Sequence, residues 1–293
     1  MGVATYTKLI GFVYNPTNPK AGDFVQSLVD ILGLQDRSWI STASDIELSP
    51  ERLSGTSVVL TAGGDGTILR VARRVASYRI PILAINMGRV GFITELDVTN
   101  AARLIPEYLE GPTRVENRMM LKATLLAEND QGKSLELHAL NDVVLTRGAL
   151  PRLLDIDTHI DGELLTTYRA DGVIVATPTG STGYSLSAGG PILYPEAKEF
   201  IVQPLAAHMS FQTSLVVSQD SRVQLKFKSG KSAILSVDGS TEFVEVGQTV
   251  LVEKSPYFAS FLRKNTPAEF FSTLTQGLGI KGRKVPPART NGI

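Results

Sequence analysis

Apolar residues in the first third of the chain follow two kinds of pattern. Short, continuous apolar runs have the length and composition of strands that are buried on both faces. Between these runs lie longer stretches with helical spacing of the apolar positions, and Gly111-Pro112 ends the last stretch. Regular alternation of strands and helices predicts a mostly parallel sheet covered by helices. The predicted strands are 9–14, 57–60 and 82–85, and the predicted helices are 23–32, 68–76 and 99–110.

After residue 114 the apolar positions alternate with polar ones at a period of two, which is typical of strands with one buried face. Asp161-Gly162 and Asp238-Gly239 are signals for tight turns between such strands. A final helical stretch at 267–278 has Thr266 as its expected N-cap and Pro267 as its first helical residue. The predicted strands of this part are 121–126, 135–145, 153–160, 173–176, 215–217, 223–227, 233–237 and 250–253.

These patterns predict two domains and a tail, in agreement with a length of 293 residues. The expected fold class is an α/β N-terminal domain with a mostly parallel sheet, joined to a mostly β C-terminal domain. We place the α/β domain at 1–112, the mostly β domain at 113–262 and the tail at 263–293.

Composition removes several classes of function. The 29 basic and 29 acidic residues balance, which disfavours a nucleic-acid partner. The chain has no cysteine, so disulfides, thiol nucleophiles and cysteine-bound metals are excluded. No apolar stretch approaches the roughly 20 residues that span a bilayer, and the N-terminus lacks the pattern of a signal peptide. We therefore expect a cytoplasmic protein that has no membrane partner.

The most informative segment is 63–67, which reads Gly-Gly-Asp-Gly-Thr between a predicted strand and a predicted helix. Glycines allow close approach of the backbone to a ligand, and the N–H groups at the start of a helix attract phosphate. A pure anion site would avoid Asp65, so its carboxylate indicates a metal ion or a hydroxyl that must lose a proton. This combination favours a kinase. A dinucleotide fingerprint would need a small residue at Leu69, and an ordinary strand–helix turn remains the alternative.

A second unusual segment is 177–191, which follows the predicted strand 173–176. It contains six Ser or Thr residues and four glycines, so hydroxyls and backbone N–H groups are concentrated where a core would need apolar side chains. Such groups suit a polyhydroxylated or phosphorylated ligand, and Tyr184 offers a ring on which a base can stack. A Ser/Gly-rich surface loop is the alternative for this segment taken alone.

Asn141 and Asp142 interrupt the apolar pattern of the predicted strand 135–145. Buried polar groups need partners, because an unpaired one costs about 1–3 kcal/mol. A ribose diol or the edge of an adenine can supply such partners.

With these motifs the chain resembles the NAD kinase family (ATP-NAD kinases) from about residue 9 to residue 279. The resemblance rests on 63–67, 86–95, 140–145 and on Asp171-Gly172 followed by 177–191, all in matching order and spacing. Lipid kinases and phosphofructokinases share the glycine–aspartate segment, whereas the 177–191 segment is far more specific to NAD kinases. The family implies phosphoryl transfer from ATP to the 2′-hydroxyl of the adenosine ribose of NAD⁺, giving NADP⁺ and ADP. It also implies a divalent cation, with Mg²⁺ expected, and a homodimer or homotetramer.

The resemblance also implies residue roles. Asp65 is the expected catalytic base, with a metal-holding role left open by the sequence, and the tail is expected to pack back on the first domain. The expected NAD-binding residues are Asp65, Gly66, Asn141, Asp142, Arg152, Arg169, Asp171, Thr182, Gly183, Tyr184, Ser185, Leu186 and Ser187. The expected ATP-phosphate residues are Gly63, Gly64, Gly66, Thr67 and Arg70.

The chain departs from the family pattern at several positions. Asp142 stands where Glu is usual, Gly183 where Ala is commoner, and Ser240 where Gln is frequent. The segment after His208 lacks the usual Arg. Arg70 and Arg152 have the alternative interpretation of solvated surface charges.

Two other functions remain as alternatives for the whole chain: a lipid or sugar kinase with the same glycine–aspartate segment, and a catalytically silent NAD(H)-binding regulator.

Overall fold

The computed structural model of the chain describes residues 9–47, 50–88, 91–126, 134–149, 152–208, 211–230, 232–264, 266 and 269–277. Parts of the motif at 86–95, of the segment after His208 and of the predicted tail helix lie outside these residues, namely 89–90, 209–210, 267–268 and 278. In the described part of the chain, no helix combines the length and the apolar character that crossing a bilayer requires.

The described residues between 9 and 112 form the predicted alternation of strands and helices. The strands are β1 (Leu9–Tyr14), β2 (Ser38–Thr42), β3 (Thr56–Gly63), β4 (Ile82–Asn86) and β5 (Leu96–Asp97). The helices are α1 (Pro19–Ile31), α2 (Asp65–Val75) and α3 (Ala101–Glu110), with short 3₁₀ turns at Gln35–Arg37, Asp45–Glu47, Pro50–Leu53 and Ala76–Tyr78. The strands pair in parallel, β1 with β2 and β3, and β4 with β3 and β5, so the predicted parallel sheet is confirmed.

The remainder of the chain is mostly β, as predicted. Its helical elements are a 3₁₀ turn at Gly180–Thr182, α4 (Tyr184–Ser187) and α5 (Glu269–Gly277). Its strands are β6 (Arg114–Leu125), β7 (Leu135–Ala139), β8 (Asp142–Arg147), β9 (Leu154–Ile160), β10 (Glu163–Ala170), β11 (Gly172–Ala176), β12 (Glu199–Leu205), β13 (Leu215–Ser218), β14 (Val223–Ser229), β15 (Ala233–Val237), β16 (Ser240–Val244) and β17 (Thr249–Arg263).

The described strands form two sheets. The first has the order β10-β9-β14-β17-β4-β3-β1-β2, with β5 beside β4, β6 beside β17 and β7 beside β6. The second is antiparallel with the order β13-β12-β11-β8-β15-β16. The parallel strands therefore continue into antiparallel ones, which makes the first sheet mixed. The junction is the parallel pair Phe261–Ile82 between β17 and β4.

Among the described residues a small apolar core with Val144 and Ile174 lies on the second sheet, and three larger cores hold the layers together. One lies between the two sheets, where Leu145 and Val173 of the second sheet meet Leu225 of the first. The others cover the two faces of the parallel strands. Helix α2 packs on one face, in a core that also contains Phe261 of β17, and α1 and α3 pack on the other face.

The prediction of one strand at 135–145 is wrong. β7 pairs with β6 in the first sheet, whereas β8 pairs with β11 and β15 in the second. The chain changes sheets at 140–142, which we call the crossover segment. The backbone N–H groups of this segment donate to a carboxylate rather than to a neighbouring strand, and the ladder is therefore interrupted.

The start of the tail helix agrees with its expected cap. The Thr266 N–H donates to Glu269 Oε1 at 3.0 Å, and the Glu269 N–H donates back to the Thr266 carbonyl at 3.0 Å. This reciprocal pair is half of a capping box. The Phe270 ring lies 5.8 Å from the Tyr194 ring, and Phe270 also lines a small cavity with Phe92 of the first domain. The described part of the tail therefore contacts Tyr194, and its packing on the first domain stays a prediction.

Candidate active site

The glycine–aspartate segment connects β3 to α2. Gly64 is extended, with φ −94° and ψ −178°, and Asp65 is the first residue of α2. A Cβ added at Gly63 would lie 2.5 Å from Thr67 Oγ1, so a side chain at 63 would displace Thr67. The geometry therefore places the amide end of α2, with its partial positive charge, directly after the parallel strand β3.

A cleft of about 360 Å³ opens at this helix end. Among the described atoms, a Cβ added at Gly64 or Gly66 would meet nothing within 4 Å, so both backbones face open space. Arg70 and Arg73 of α2 also line the cleft, and the β1–α1 loop contributes further polar groups. A cleft of this size, with a helix N-terminus at one side and two arginines of the same helix in its lining, suits a chain of phosphates. The lining residues are Asn15, Pro16, Thr17, Ala43, Ser44, Gly64, Gly66, Thr67, Arg70, Arg73, Asp238, Gly239 and Ser240.

Asp65 carries the most unusual carboxylate of the site. Its Oδ1 is buried and has no hydrogen-bond partner among the described residues. Burial raises the pKa of the Asp65 carboxyl above its ordinary value, because the charged form loses solvation. A Cβ added at Gly91 would lie 2.3 Å from Oδ1, so Gly91 leaves the space that the carboxylate occupies. An unpartnered buried carboxylate oxygen is ready to receive a proton or a cation.

The implied divalent cation fits this arrangement. Within the described ranges no cluster of three or more acidic or His side chains forms a complete protein cage for a metal. Mg²⁺, however, is commonly held by one or two carboxylates together with substrate phosphates, and it keeps several waters. Asp65 at the edge of a phosphate-sized cleft supplies such a carboxylate.

The crossover segment is held by a single acidic side chain. The Asp238 carboxylate accepts the N–H groups of Leu140 at 2.7 Å, Asn141 at 2.9 Å and Asp142 at 3.1 Å. The fixed backbone leaves the side chains of Asn141 and Asp142 for other partners. Asn141 Oδ1 is buried and has no donor among the described residues, so a ligand N–H or O–H group would satisfy it.

Asp142, the acidic residue of the crossover segment, lies partly buried near the Asp238 carboxylate. Burial, followed by repulsion from Asp238, raises the pKa of Asp142 to about 7. Burial also raises the pKa of Asp238, although three backbone N–H groups oppose that shift. Asp142 therefore changes charge near neutral pH, beside a carboxylate that backbone donors keep in place.

Asp142→Asn is expected to stabilise the fold at neutral pH and to do little in acid. The folded-state pKa of Asp142 is raised from 3.8 to about 7, so its contribution to stability is complete below pH 4 and is lost progressively up to pH 7. The asparagine variant escapes this loss, which is on the order of 1–4 kcal/mol because one pKa unit corresponds to about 1.4 kcal/mol. Urea unfolding at pH 5, 6, 7 and 8 measures the difference between variant and wild type. A difference that is constant across this range would contradict the raised pKa.

The Ser/Thr-Gly loop (177–190) lies against the crossover segment. The Thr177 N–H donates to the Asn141 carbonyl at 2.9 Å, and Thr177 Oγ1 donates to the Leu140 carbonyl at 2.5 Å. A Cβ added at Gly180 would lie 2.0 Å from the Asn141 carbonyl oxygen, so only glycine permits this approach. The structure therefore brings the crossover segment and the Ser/Thr-Gly loop together, although Thr177 lies 36 positions after Asn141 in the sequence.

Within this loop the side chains face different environments. Tyr184 is 49% exposed, so its ring is available for stacking. Ser185 is fully buried, and its Oγ has no partner among the described residues. A Cβ added at Gly183 would lie 3.5 Å from Asn141 Nδ2, which places Gly183 beside the side chain of Asn141. Thr182 and Leu186 are half-buried, and Ser187 is exposed.

The expected residues at the far end of the ligand are more scattered. Asp171 forms an ion pair with Arg147, with 2.6 Å between Asp171 Oδ1 and Arg147 Nε. Arg147 on β8 therefore supplies the ionic partner of Asp171. Arg169 and Arg152 are both exposed. The backbone carbonyl of Arg169 accepts the His208 N–H at 2.8 Å.

Sequence reasoning missed four residues that the structure places at the site: Asn15, Thr17, Arg73 and the carboxylate of Asp238. One signal was available, because the carboxyl ends of parallel strands meet at one edge of a sheet and ligands bind there. Asn15 and Thr17 follow β1, which lies directly beside β3. The other two residues have no comparable signal, since their roles depend on contacts between distant parts of the chain.

Comparison with known proteins agrees with this geometry. The model of the ATP-NAD kinase N-terminal domain matches residues 38–113, and that of the ATP-NAD kinase C-terminal domain matches residues 140–264. A curated NAD kinase of Dehalococcoides mccartyi is 37% identical over 271 residues, covering 91% of this chain and 94% of the relative. A curated NAD kinase of Carboxydothermus hydrogenoformans is 42% identical over 215 residues, covering 73% and 76%.

Two solved structures have the same two-domain fold. Yeast NADH kinase, crystallised with NADH, gives a TM-score of 0.82 at 26% identity and covers 95% of this chain and 90% of its own. An NAD kinase from Archaeoglobus fulgidus in complex with ATP gives a TM-score of 0.74 at 26% identity, covering 91% of this chain and 98% of its own. Sequence models, relatives and fold agree, and the chain belongs to the NAD kinase family.

Proposed function

We propose that this enzyme transfers the γ-phosphoryl group of ATP to the 2′-hydroxyl of the adenosine ribose of NAD⁺, giving NADP⁺ and ADP. The observation that carries the proposal is the buried Oδ1 of Asp65, which has no partner among the described residues and lies at the N-terminus of α2 beside the phosphate-sized cleft. The relatives named NAD kinase and the neighbour bound to ATP support the two substrates.

Each group of the site has a part in this reaction. The first-turn amides of α2, Arg70 and Arg73 hold the donor phosphates. Asp65 accepts the proton of the ribose hydroxyl as the new oxygen–phosphorus bond forms and the bond to the ADP oxygen breaks. The raised pKa of Asp65 suits this task, because a general base works best when its pKa lies near the pH at which the enzyme operates. Asp65 would also hold Mg²⁺, which when bound neutralises charge on the donor phosphates.

The acceptor is held on the other side of the site. Asn141 and Asp142 contact the adenosine half, because Asn141 Oδ1 is a buried acceptor that needs a donor. The segment from Thr182 to Ser187 contacts the dinucleotide, with Tyr184 stacking on a base. Asp171, Arg169 and Arg152 extend towards the nicotinamide end. In the proposed setting the enzyme acts in the cytoplasm as a homodimer or homotetramer, which the 80% exposure of Phe243 on the edge strand β16 supports.

One assay separates this function from its alternatives. ADP release is measured with ATP and Mg²⁺ and with NAD⁺, a diacylglycerol or fructose 6-phosphate as acceptor. Release with NAD⁺ alone, together with formation of NADP⁺, supports the proposal. Release with either of the other acceptors identifies a lipid or sugar kinase. Binding of NAD⁺ without ADP release identifies a silent regulator.

Gly91→Ala is expected to lower kcat roughly tenfold without unfolding the protein. The new Cβ would overlap Asp65 Oδ1, and the flexible carboxylate moves more easily than backbone would. A catalytic group misplaced by about 1 Å can cost about 10² in rate, and rotation of Asp65 recovers part of this loss. Gly88→Ala is the matched control, because its Cβ meets no described atom within 4 Å. Equal kcat values for the two variants would show that Gly91 does not position Asp65.

A further inference from the structure

The turn that joins β15 to β16 contacts both halves of the site. It is a two-residue turn in which Asp238 has φ +47° and Gly239 has φ +82°, the left-handed values of a type I′ hairpin. Val237 pairs with Ser240 across it. We call residues 237–240 the site turn. The side chains and backbone of this turn are positioned by the hairpin geometry, so each contact has a defined direction.

Towards the acceptor side, the site turn holds the crossover segment by four hydrogen bonds. Three backbone N–H groups donate to the Asp238 carboxylate, at 2.7, 2.9 and 3.1 Å. The Asp238 N–H donates in return to the Asp142 carbonyl at 3.1 Å. Both carboxylate oxygens are used, Oδ2 by Leu140 and Oδ1 by Asn141 and Asp142. The backbone that carries Asn141 and Asp142 therefore takes its position from Asp238.

Towards the donor side, the same turn holds a cation of α2. Arg73 Nη1 donates to Ser240 Oγ at 2.6 Å and to the Val237 carbonyl at 3.1 Å. Arg73 lies eight residues after Asp65, which is about 12 Å along the helix axis. It lines the donor cleft together with Asp238, Gly239 and Ser240. The family often has Gln at position 240. Here the hydroxyl of Ser240 accepts a hydrogen bond from Arg73, which lines the donor cleft.

We propose that the site turn positions both substrates, with Asp238 aligning the residues that bind NAD⁺ and Ser240 aligning Arg73 at the donor cleft. This inference rests on the proposed function and adds positioning residues that contact neither reacting atom. It follows from the position of one rigid hairpin between two elements, because a shift of the turn would move Asn141 and Arg73 together. Different side chains make the two sets of hydrogen bonds, so each set can be removed separately, and Asp238→Glu keeps the charge that also acts on Arg73.

Asp238→Asn tests the acceptor side. The asparagine side chain has one acceptor oxygen instead of two, so the Leu140 N–H would face an amide NH₂ group and lose its partner. KM for NAD⁺ is expected to rise about tenfold, while KM for ATP stays within about twofold and kcat within about threefold. Asp97→Asn is the matched control, because Asp97 Oδ1 also accepts backbone N–H groups, from Thr99 at 2.7 Å and Asn100 at 3.1 Å, away from the cleft.

Ser240→Ala tests the donor side. Loss of the hydroxyl releases one hydrogen bond of Arg73, so KM for ATP is expected to rise several-fold while KM for NAD⁺ stays within about twofold. Ser260→Ala is the matched control, since its hydroxyl donates to Asn117 Oδ1 at 2.8 Å on an exposed strand face.

If Asp238→Asn does not fold, Asp238→Glu takes its place, because it keeps the charge but displaces the carboxylate by one methylene.

The two variants must give opposite selectivities. A rise in KM for NAD⁺ in the Asp238 variant and a rise in KM for ATP in the Ser240 variant, with both controls at wild-type values, support the proposal. Equal changes in both KM values, or lower thermal stability with unchanged KM values, overturn it. Titration calorimetry with NAD⁺ alone adds a readout that needs no turnover. If wild type binds NAD⁺ but releases no ADP, the proposed function fails, and the NAD⁺ affinity of the Asp238 variant still decides the acceptor-side role.

Discussion

Asp65→Asn is expected to lower kcat by about two to four orders of magnitude, the range associated with loss of a general base. The asparagine side chain keeps the size of the carboxylate but can neither accept the ribose proton nor carry the charge that holds Mg²⁺. No residue in the described part of the chain donates to the buried Oδ1, so we expect its loss to act on the ligands rather than on the fold.

The measurement is steady-state ADP release with NAD⁺ as acceptor, together with NAD⁺ affinity by calorimetry. NAD⁺ affinity is expected to change much less than kcat, because Asp65 acts mainly as the bond to phosphorus forms. Asp23→Asn on the exposed face of α1 makes the same change of charge and serves as the control. A variant of Asp65 that retains more than about a tenth of the wild-type kcat would refute the catalytic assignment.

Asn141→Ala is expected to raise KM for NAD⁺ by roughly 5–150-fold, the factor that corresponds to the 1–3 kcal/mol cost of an unpaired buried polar group. In the complex, Asn141 Oδ1 gains a donor from the ligand, and alanine leaves that ligand group unpaired. KM for ATP is expected to change less than twofold, since the donor cleft is lined by other residues.

Asn117→Ala on β6 is the matched control, because Asn117 is exposed and lies outside the cleft. The assay varies NAD⁺ at saturating ATP and then ATP at saturating NAD⁺. Equal increases in the two KM values would assign Asn141 a structural role instead of a role in acceptor binding. An NAD⁺ analogue that lacks a ribose hydroxyl should also lose less affinity in the variant than in wild type. The reason is that, without the Asn141 amide, the site no longer distinguishes NAD⁺ from the deoxy analogue.

Much of the fold followed from local patterns. The parallel strands β1, β3 and β4, the helix α2 and the two Asp-Gly turns were predicted, and both turns have the left-handed backbone that the Asp-Gly signal requires. Five strands were missed: β2, β5, β10, β12 and β16. Two of these, β10 and β16, are edge strands with many exposed positions, so the apolar alternation that reveals a strand is weak in them.

The break at Asn141 could not be predicted from alternation. Residues on both sides of it continue a strand-like pattern, and the interruption comes from Asp238, a carboxylate that lies 98 residues after Leu140. Periodicity reports only neighbours along the chain, whereas this contact depends on how two sheets are placed. For the same reason the sequence does not reveal that Arg147 is the partner of Asp171, because the two residues lie on different strands.

The candidate site also contains features that the sequence predicts and features that only the fold reveals. The glycine–aspartate segment, the crossover segment and the Ser/Thr-Gly loop each carry their chemistry in consecutive residues, so the sequence indicates them. Their mutual contacts, such as the hydrogen bond from Thr177 to the Asn141 carbonyl, appear only in the fold. Arg73 and Asn15 reach the donor cleft from an ordinary helix and an ordinary loop, and neither has a distinctive local sequence.

The position of β17 has a consequence for synthesis of the chain on the ribosome. This strand, Thr249–Arg263, lies beside β4 and places Ala259 and Phe261 in the core beneath α2, among residues that are translated far earlier. The N-terminal α/β unit therefore remains incomplete, with the edge of β4 partly uncovered, until β17 has been made as far as Arg263. Domains usually fold in the order in which they emerge. Here the nascent α/β unit must wait for the last strand, and during that interval its exposed edge is a surface for chaperones to protect.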